Sequence, residues 1–340
     1  RSNFFHWFIF WELSLIPAFF LARLWGGPDR APAATQFFVY TMVGSVAMLL
    51  AFLAIFLSTG KFDFTALAEL GKSGALTAAL SDKLGWKLFG FEFTAGVMPL
   101  IIFGGVLLGF AVKVPLMPFH TWLPPTYSEA PSGVTMLLTG VMSKMGVYGF
   151  VRIVLPIFAP QLNLPHVQTA LLTLAIITIV FSACAAFAQR DLKRILAYSS
   201  INHLGYCLLA VFAVARYTGN DAAMATEKTA ALNGVFLQMF NHGLTAATLF
   251  WFVALIEQRS GGLRGLNDFG GLRKVAPIFC GLMGIALFSS LGLPGLNGFV
   301  GEFAILLGAF GSKSIGTPWY AAISALGVDR KSTRLNSSHR

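Results

Sequence analysis

The apolar residues of this 340-residue chain are gathered into blocks of about 20 or more, broken by Gly, Ser, Thr and an occasional single charge. A block of that length crosses a hydrocarbon core about 30 Å thick as one helix. In lipid the backbone must bond to itself or close into a barrel, and no alternating segments of roughly ten residues support a barrel. Composition agrees with this reading, since 56% of residues are hydrophobic and 11% charged, against about 25% charged in a soluble domain. An ordinary soluble enzyme is excluded, and the expected fold class is an all-α polytopic membrane protein.

Eight spans can be drawn: Phe4 to Trp25, Gln36 to Ser58, Ala95 to about Pro118, Ser132 to Leu155, Val167 to Ala188, Leu192 to Ala215, Thr229 to Ile256, and a long one from Val275 to Phe310. A ninth opens at Pro318 and stops near Val328. Residues 1–328 are therefore read as one transmembrane domain and 329–340 as a disordered or foreign tail, with the chain an internal fragment. The connection from Thr59 to Thr94 carries Phe64, Leu67, Leu70, Leu76, Leu80 and Leu84 among polar residues, which predicts a short helix along the surface.

The net charge of +10 sits in short loops and in the tail, with no basic stripe interleaved with aromatics, so nucleic acid is not an expected partner. Nine Lys and Arg (Arg23, Arg30, Arg190, Lys193, Arg194, Arg259, Arg264, Arg273, Lys274) fall on the face of the loop after the first span. The other face also has nine, of which four (Lys61, Lys72, Lys83, Lys87) belong to the long connection. With that loop set aside, nine against five puts the first face in the cytoplasm.

Several charges lie where lipid should be. Glu12, Lys113, Lys144 and Glu302 are all inside spans, where a lysine facing lipid costs roughly 2.5–3.5 kcal/mol. Pairing removes much of that cost, and Glu12 with Lys113 is the evident pair. His203 and His242 stand mid-span in the sixth and seventh blocks. Two histidines, two lysines and two glutamates over six spans form a relay of titratable groups, whose proton affinities burial can bring toward neutrality. The bland reading is that these charges merely join helices.

Two spans are expected to be broken. Lys113 is followed by Pro115 and Pro118, and the eighth segment, about 36 residues long, carries Gly292, Pro294, Gly295 and Gly298 before Glu302. Discontinuous helices in transporters mark ion or substrate sites. In the loop Pro118 to Gly133, Trp122 and Tyr127 read as headgroup anchors, Glu129 is a loop carboxylate, and His120 could connect Lys113 to water. Arg190 and Lys193, in the turn QRDLKR, read as positive-inside anchors.

Nucleotide-binding and metal-ligand motifs are absent from the sequence, and Cys184, Cys207 and Cys280 lie in apolar blocks at spacings of 23 and 73. The cysteines read as small buried hydrophobes. No cofactor or metal is expected in this chain, and any redox chemistry belongs to partner subunits.

In order and spacing, HWFIFWELSLIPAFFL, FAVKVPLMPFHTWLP, SEAPSGVTMLLTGVMSKMGVYGFVR, QRDLKRILAYSSINHLGY, FLQMFNHGLTAATLF and LPGLNGFVGEF resemble the M-type antiporter-like subunits of proton-pumping NADH:quinone oxidoreductase, respiratory complex I. The resemblance covers Asn3 to about Leu326. It implies an antiporter-like bundle with inverted repeats and broken helices, of which this chain would hold the fifth to the twelfth helix and part of the thirteenth. It further implies that Glu12 pairs with Lys113, that Lys144 is the central lysine, that His203 and His242 lie on the hydrophilic axis, and that Glu302 ends it.

The implied setting is a multi-pass protein of the bacterial inner membrane beside L-type and N-type antiporter-like subunits and membrane lipids. NAD, FMN, iron–sulfur clusters and quinone would lie in partner subunits. Where the family loop reads close to W-L-P-D-A-H-T-E-A-P, Pro125, Thr126 and Tyr127 stand here, and Ser143 replaces an apolar residue beside Lys144. The alternatives are a subunit of a multisubunit sodium/proton antiporter or of a membrane-bound hydrogenase arm, and, from another class, a structural membrane scaffold.

Overall fold

A computed structural model describes residues 3–83, 86–88, 91–93, 97–215, 222–311 and 319–325. The tail expected at 329–340 lies outside the described residues, as do Ala95 and Leu84. The main helices are α1 (Phe4–Trp25), α2 (Arg30–Thr59), α3 (Phe64–Lys72), α4 (Ala75–Lys83), α5 (Met98–Lys113), α6 (Leu123–Glu129), α7 (Ser132–Ile157), α8 (Pro165–Ala188), α9 (Leu192–Val214), α10 (Ala222–Arg259), α11 (Pro277–Ser290) and α12 (Asn297–Gly311). Of these, α1, α2, α7, α8, α9 and α10 are long and apolar enough to cross a membrane. The all-α expectation holds, with one addition, a hairpin of β1 (Trp86–Leu88) and β2 (Phe91–Phe93) paired antiparallel with Trp86 opposite Phe93.

Local sequence sets several helix starts. Asn3 caps α1 through Oδ1 on the Phe5 amide, 2.8 Å, and Asp191 caps α9 on the Arg194 amide, 3.1 Å. Asp63 caps α3 on the amides of Thr65 and Ala66 at 3.0 and 3.1 Å. The Ala66 amide above all holds the Asp63 carboxyl below its ordinary range. The surface helix expected in the long connection is two helices, because Gly74 at φ +76° turns the chain between α3 and α4. Leu67, Leu76 and Leu80 point inward from them, and Gln161 donates to Thr77 Oγ1 at 3.0 Å.

The two remaining expected spans are built from shorter pieces. In that from Ala95 to Pro118, α5 stops at Lys113 and a turn follows, and α6 lies beyond it in the stretch expected to be a loop. Prolines in the turn offer no N–H, so carbonyls at the end of α5 need other donors. Leu116 N–H donates to Ala111 O and the Trp122 indole N–H to Val112 O, both at 2.9 Å. The amide of Met117 finds Thr178 Oγ1 of α8 at 3.0 Å. This corrects the reading of Trp122 and Tyr127 as headgroup anchors. Both are buried, at 3% and 0% exposure, with the Trp122 indole bonded to the end of α5 and the Tyr127 ring edge-on to Phe250.

The eighth segment is interrupted as its glycines predict. Helix α11 stops at Ser290 and α12 starts at Asn297, with Gly292 at φ +72° and Gly295 at φ +96° between them. Both angles lie in the left-handed region that favours glycine. The partial ninth span is described over 319–325, where Tyr206 Oη donates to Ser324 O at 2.6 Å.

Helix α9 is the centre of the bundle. From Ser200 to Val214 every residue is buried, as expected of a helix apolar all round. On the opposite side, α2 and α5 close on each other through glycines. A Cβ at Gly109 would stand 2.7 Å from Met48 Cβ and 3.0 Å from Gly44 O. Gly109→Ala should therefore weaken this packing by about 1–3 kcal/mol, read as a lower thermal midpoint of the detergent-solubilised assembly. An unchanged midpoint would mean the two helices can part without cost.

Candidate functional site

Four of the six residues singled out by the sequence form one connected line through four helices. Lys144 of α7 has its Nζ 2.7 Å from His242 Nδ1 of α10, and also donates to the carbonyl of Thr139 in its own helix. The His242 ring lies against that of His203 on α9, with centroids 4.7 Å apart. His203 Nδ1 is 2.7 Å from Glu302 Oε1 of α12. All four side chains are buried. Glu302 sits against the helix break, since a Cβ at Gly292 would stand 2.8 Å from its Oε2.

The π-helical turn Leu138–Met142 ends two residues before Lys144. Such turns re-aim backbone carbonyls and recur at functional sites. Here the Thr139 carbonyl accepts from both Lys144 Nζ and, at 3.1 Å, Ser143 Oγ. Ser143 thus bonds to its own helix.

Gln238 was not anticipated. It lies one helical turn before His242, on the same face of α10, so the i, i+4 spacing in LQMFNH was the available signal. Its Nε2 is 3.2 Å from Glu302 Oε1 and 2.9 Å from His203 Nδ1. The two contacts suit two proton states. A proton on Nδ1 is donated to Glu302, whereas a bare Nδ1 accepts from the Gln238 amide. The break itself is held by Asn241 Nδ2 on Asn297 O at 2.6 Å and by Ser289 Oγ on Asn297 Oδ1.

Lys113 and Glu12 stand apart from this line. Lys113 is buried, its Nζ 4.9 Å from the Trp11 ring centroid, and Glu12 acts on it through space. They form no ion pair, and Glu12 Oε1 is buried without a hydrogen-bond partner among the described residues. Lys113 does lie near Lys144 in the fold, since a Cβ at Gly146, two residues past Lys144, would meet Lys113 Cβ at 3.3 Å. His120 is buried, with its ring edge-on to Phe181 and its Nδ1 unpartnered among the described residues.

A second charged cluster ties the loops at one end of the bundle. Arg264 reaches Glu129 Oε1 at 2.9 Å, Ser128 O at 2.8 Å, Asp191 Oδ2 at 2.6 Å and Glu257 Oε1 at 3.8 Å. Lys193 pairs with Glu257 at 2.6 Å, and the Asp29 amide donates to Glu129 Oε2 at 3.1 Å. Lys193, expected as a positive-inside anchor, is thus buried in an ion pair. Burial opposes the charge of Arg264, but its bond to Glu129 and the charges of Asp191, Glu129 and Glu257 outweigh that and raise its pKa above the ordinary value. Sequence reasoning missed this cluster because its members come from four separate loops.

Among the described residues no group of three or more His, Cys, Asp or Glu could hold a metal, and the three cysteines are free thiols. Together, the apolar exterior, the crossing helices and the paired charges within define a multi-pass integral membrane protein with an ionisable interior. Residues 2–326 match the family described as NADH:quinone oxidoreductase/Mrp antiporter, and the chain belongs to it as an M-type antiporter-like membrane subunit.

It is 38% identical over 304 residues to subunit M of the F(420)H(2) dehydrogenase of Methanosarcina mazei, covering 89% of this chain and 55% of that protein. Subunit M of the NADH-quinone oxidoreductase of Rickettsia felis is 33% identical over 321 residues, with 94% and 57% covered. In the solved respiratory complex I of Thermus thermophilus with bound NADH, one chain matches at 31% identity and a TM-score of 0.77, covering 99% of this chain and 64% of that one. The chain spans about half the length of the curated relatives it matches.

Because Arg264 serves several acceptors from one planar fork, lysine can replace it only in part. Arg264→Met should lower the stability of the assembly by about 1–3 kcal/mol, since it strands the buried Glu129. Arg264→Lys should recover part of that loss. Thermal unfolding followed by native gel reads both, and equal midpoints for Met and wild type would reject the cluster as a tie.

Proposed function

We propose that this chain is the transmembrane proton-translocating part, residues 1–328, of the M-type subunit of a NADH:quinone oxidoreductase. The observation that supports this most directly is the contact sequence Lys144, His242, His203, Glu302 across α7, α10, α9 and α12, in which the two histidines meet through their rings. In this reading quinone reduction in partner subunits drives proton transfer along the axis. NAD, FMN, iron–sulfur clusters and quinone belong to those partners. The neighbours are L-type and N-type antiporter-like subunits and lipid, in the inner membrane of a bacterium.

Lys144 is the loading centre. A buried amine can hold a proton while its acceptors are in place and release it when a neighbouring charge moves. Its short contact with His242 lets one proton be shared between amine and imidazole. The ring contact then brings that imidazole to His203, whose own proton is donated to Glu302. Gln238 keeps Nδ1 of His203 satisfied after the proton has left. Lys113, under the field of Glu12, supplies a second charge beside the lysine helix and sets how readily Lys144 loads.

The family also includes Mrp-type antiporters, so a sodium/proton exchanger built on the same axis is the competing reading. Translocation that is unaffected by removing sodium favours the first.

Lys144→Arg keeps the charge but replaces the amine with a group whose pKa is above about 12. It should preserve assembly and stop translocation, as Lys144→Ala also should. The measurement is quinone-linked proton uptake in sealed proteoliposomes, with electron transfer followed in parallel. Arginine pumping at the wild-type stoichiometry would refute titration of Lys144. Separately, Glu12→Gln should reduce pumping more than Glu12→Asp at matched assembly, and equal pumping by Gln and wild type would remove Glu12 from the coupling.

A further inference from the structure

Lys113 is the last residue of α5, and the group that its ammonium faces is a ring. Its Nζ lies over Trp11 of α1, 4.9 Å from the ring centroid. A cation within about 6 Å of an indole centroid is attracted by the negative face of the ring, and most strongly where both are out of water. Trp11 and Lys113 are both buried, at 1% and 3% exposure.

The ring is held in that orientation from a third helix. The Trp11 indole N–H donates to Ser45 Oγ of α2 at 2.9 Å. Ser45 is buried and follows Gly44, where a Cβ would stand 3.2 Å from Val112 Cβ, so the glycine lets α2 approach α5 beside the residue that precedes Lys113. Phe110, three residues before Lys113 on α5, stands at 89° to the Trp11 ring with centroids 5.6 Å apart, and Trp7 of α1 lies 4.8 Å from it. The next residue of α1, Glu12, acts on Lys113 through space.

We infer that Trp11 is a positioning residue for Lys113, its indole face holding the ammonium in place and favouring the charged form, with Ser45 fixing the angle of the ring. The inference rests on Lys113 acting on the loading of Lys144. Trp11 does not carry the translocated proton, because its N–H is engaged by Ser45 and its face binds no proton. Glu12 is a charge that changes with its own protonation, whereas the ring is a fixed attraction. Lys113 thus has one variable and one constant partner.

Fluorine on the indole withdraws electron density from the face with little change in volume, and it makes the N–H a better donor to Ser45. A role through the face therefore weakens with each added fluorine. A role through packing or through the Ser45 bond does not.

The test places mono-, di- and tetrafluorinated tryptophan at position 11 alone, one of seven tryptophans in the chain, by nonsense suppression. The subunit is studied in its assembled membrane complex in sealed vesicles, with quinone-linked proton uptake as the readout and subunit content and electron transfer as controls. Uptake is expected to fall stepwise with fluorine number, roughly ten-fold across the series, the scale of a desolvated contact between a cation and a ring. Trp11→Phe keeps a weaker face and should retain more uptake than Trp11→Leu. Ser45→Ala leaves the face intact but frees its angle, should also lower uptake, and reads the same arrangement if the tryptophan variants do not assemble.

Uptake independent of fluorine number, equal uptake in Trp11→Phe and Trp11→Leu, or wild-type uptake in Ser45→Ala overturns the inference. Lys113→Met run alongside separates the two levels. If it stops uptake while the fluorinated series is flat, the tryptophan role falls alone. If it leaves uptake at the wild-type level, the role of Lys113 in loading falls and that of Trp11 falls with it.

Discussion

An ammonium group inside a helix bundle must find its acceptors within the protein, and the bonding of Lys144 organises much of this structure. It takes a carbonyl from its own helix and an imidazole from α10. The carbonyl is available because α7 is widened at Leu138–Met142, and the imidazole because α10 brings His242 to that height. The close approach of the two helices is made by glycine, since a Cβ at Gly243 would stand 2.9 Å from Gly140 O. From the imidazole onward the same demand repeats at His203 and Glu302, each group satisfied by the next. Beside them, the amide of Gln238 meets His203 and Glu302, and the hydroxyl of Ser290 meets His203.

The interruptions of helical bonding follow from the same constraint. A regular helix satisfies its own backbone and offers nothing to a side chain. A break frees backbone groups and makes room, but each freed group must then be answered. After Lys113 the answers are the indole of Trp122 and the hydroxyl of Thr178. At Gly292 the space left by a missing side chain is where the Glu302 carboxylate sits. The titratable line runs from α7 through α10 and α9 to Glu302, which sits against the second break.

The sequence carried the fold class in its run lengths, because lipid allows few other outcomes for a backbone. It also carried the titratable residues of the axis, because a charge inside an apolar block is conspicuous, and the break around Gly292, Pro294 and Gly295, although Gly298, expected to share in it, lies inside α12. What it did not carry were partners whose type is ordinary. Gln238, Thr139 and Ser200 are unremarkable polar residues until neighbouring helices place them. Trp122 and Tyr127 read as interface aromatics because composition does not distinguish a lipid headgroup from a buried carbonyl as the partner of a polar tip. The π-helical turns in α7 left no mark in the residue pattern at all.

The Glu129–Arg264 cluster also bears on how the chain comes to its final form. Asp29 and Glu129 are 100 residues apart in sequence, and Glu129 and Arg264 are 135 apart. Contacts of such separation cannot form while intervening helices are still being inserted, and their closure carries the entropic cost of very long loops. Helices α7, α8, α9 and α10 must all be threaded before Arg264 arrives to meet Glu129, Asp191 and Glu257. The cluster is then a late seal, and its completion coincides with correct insertion of everything between.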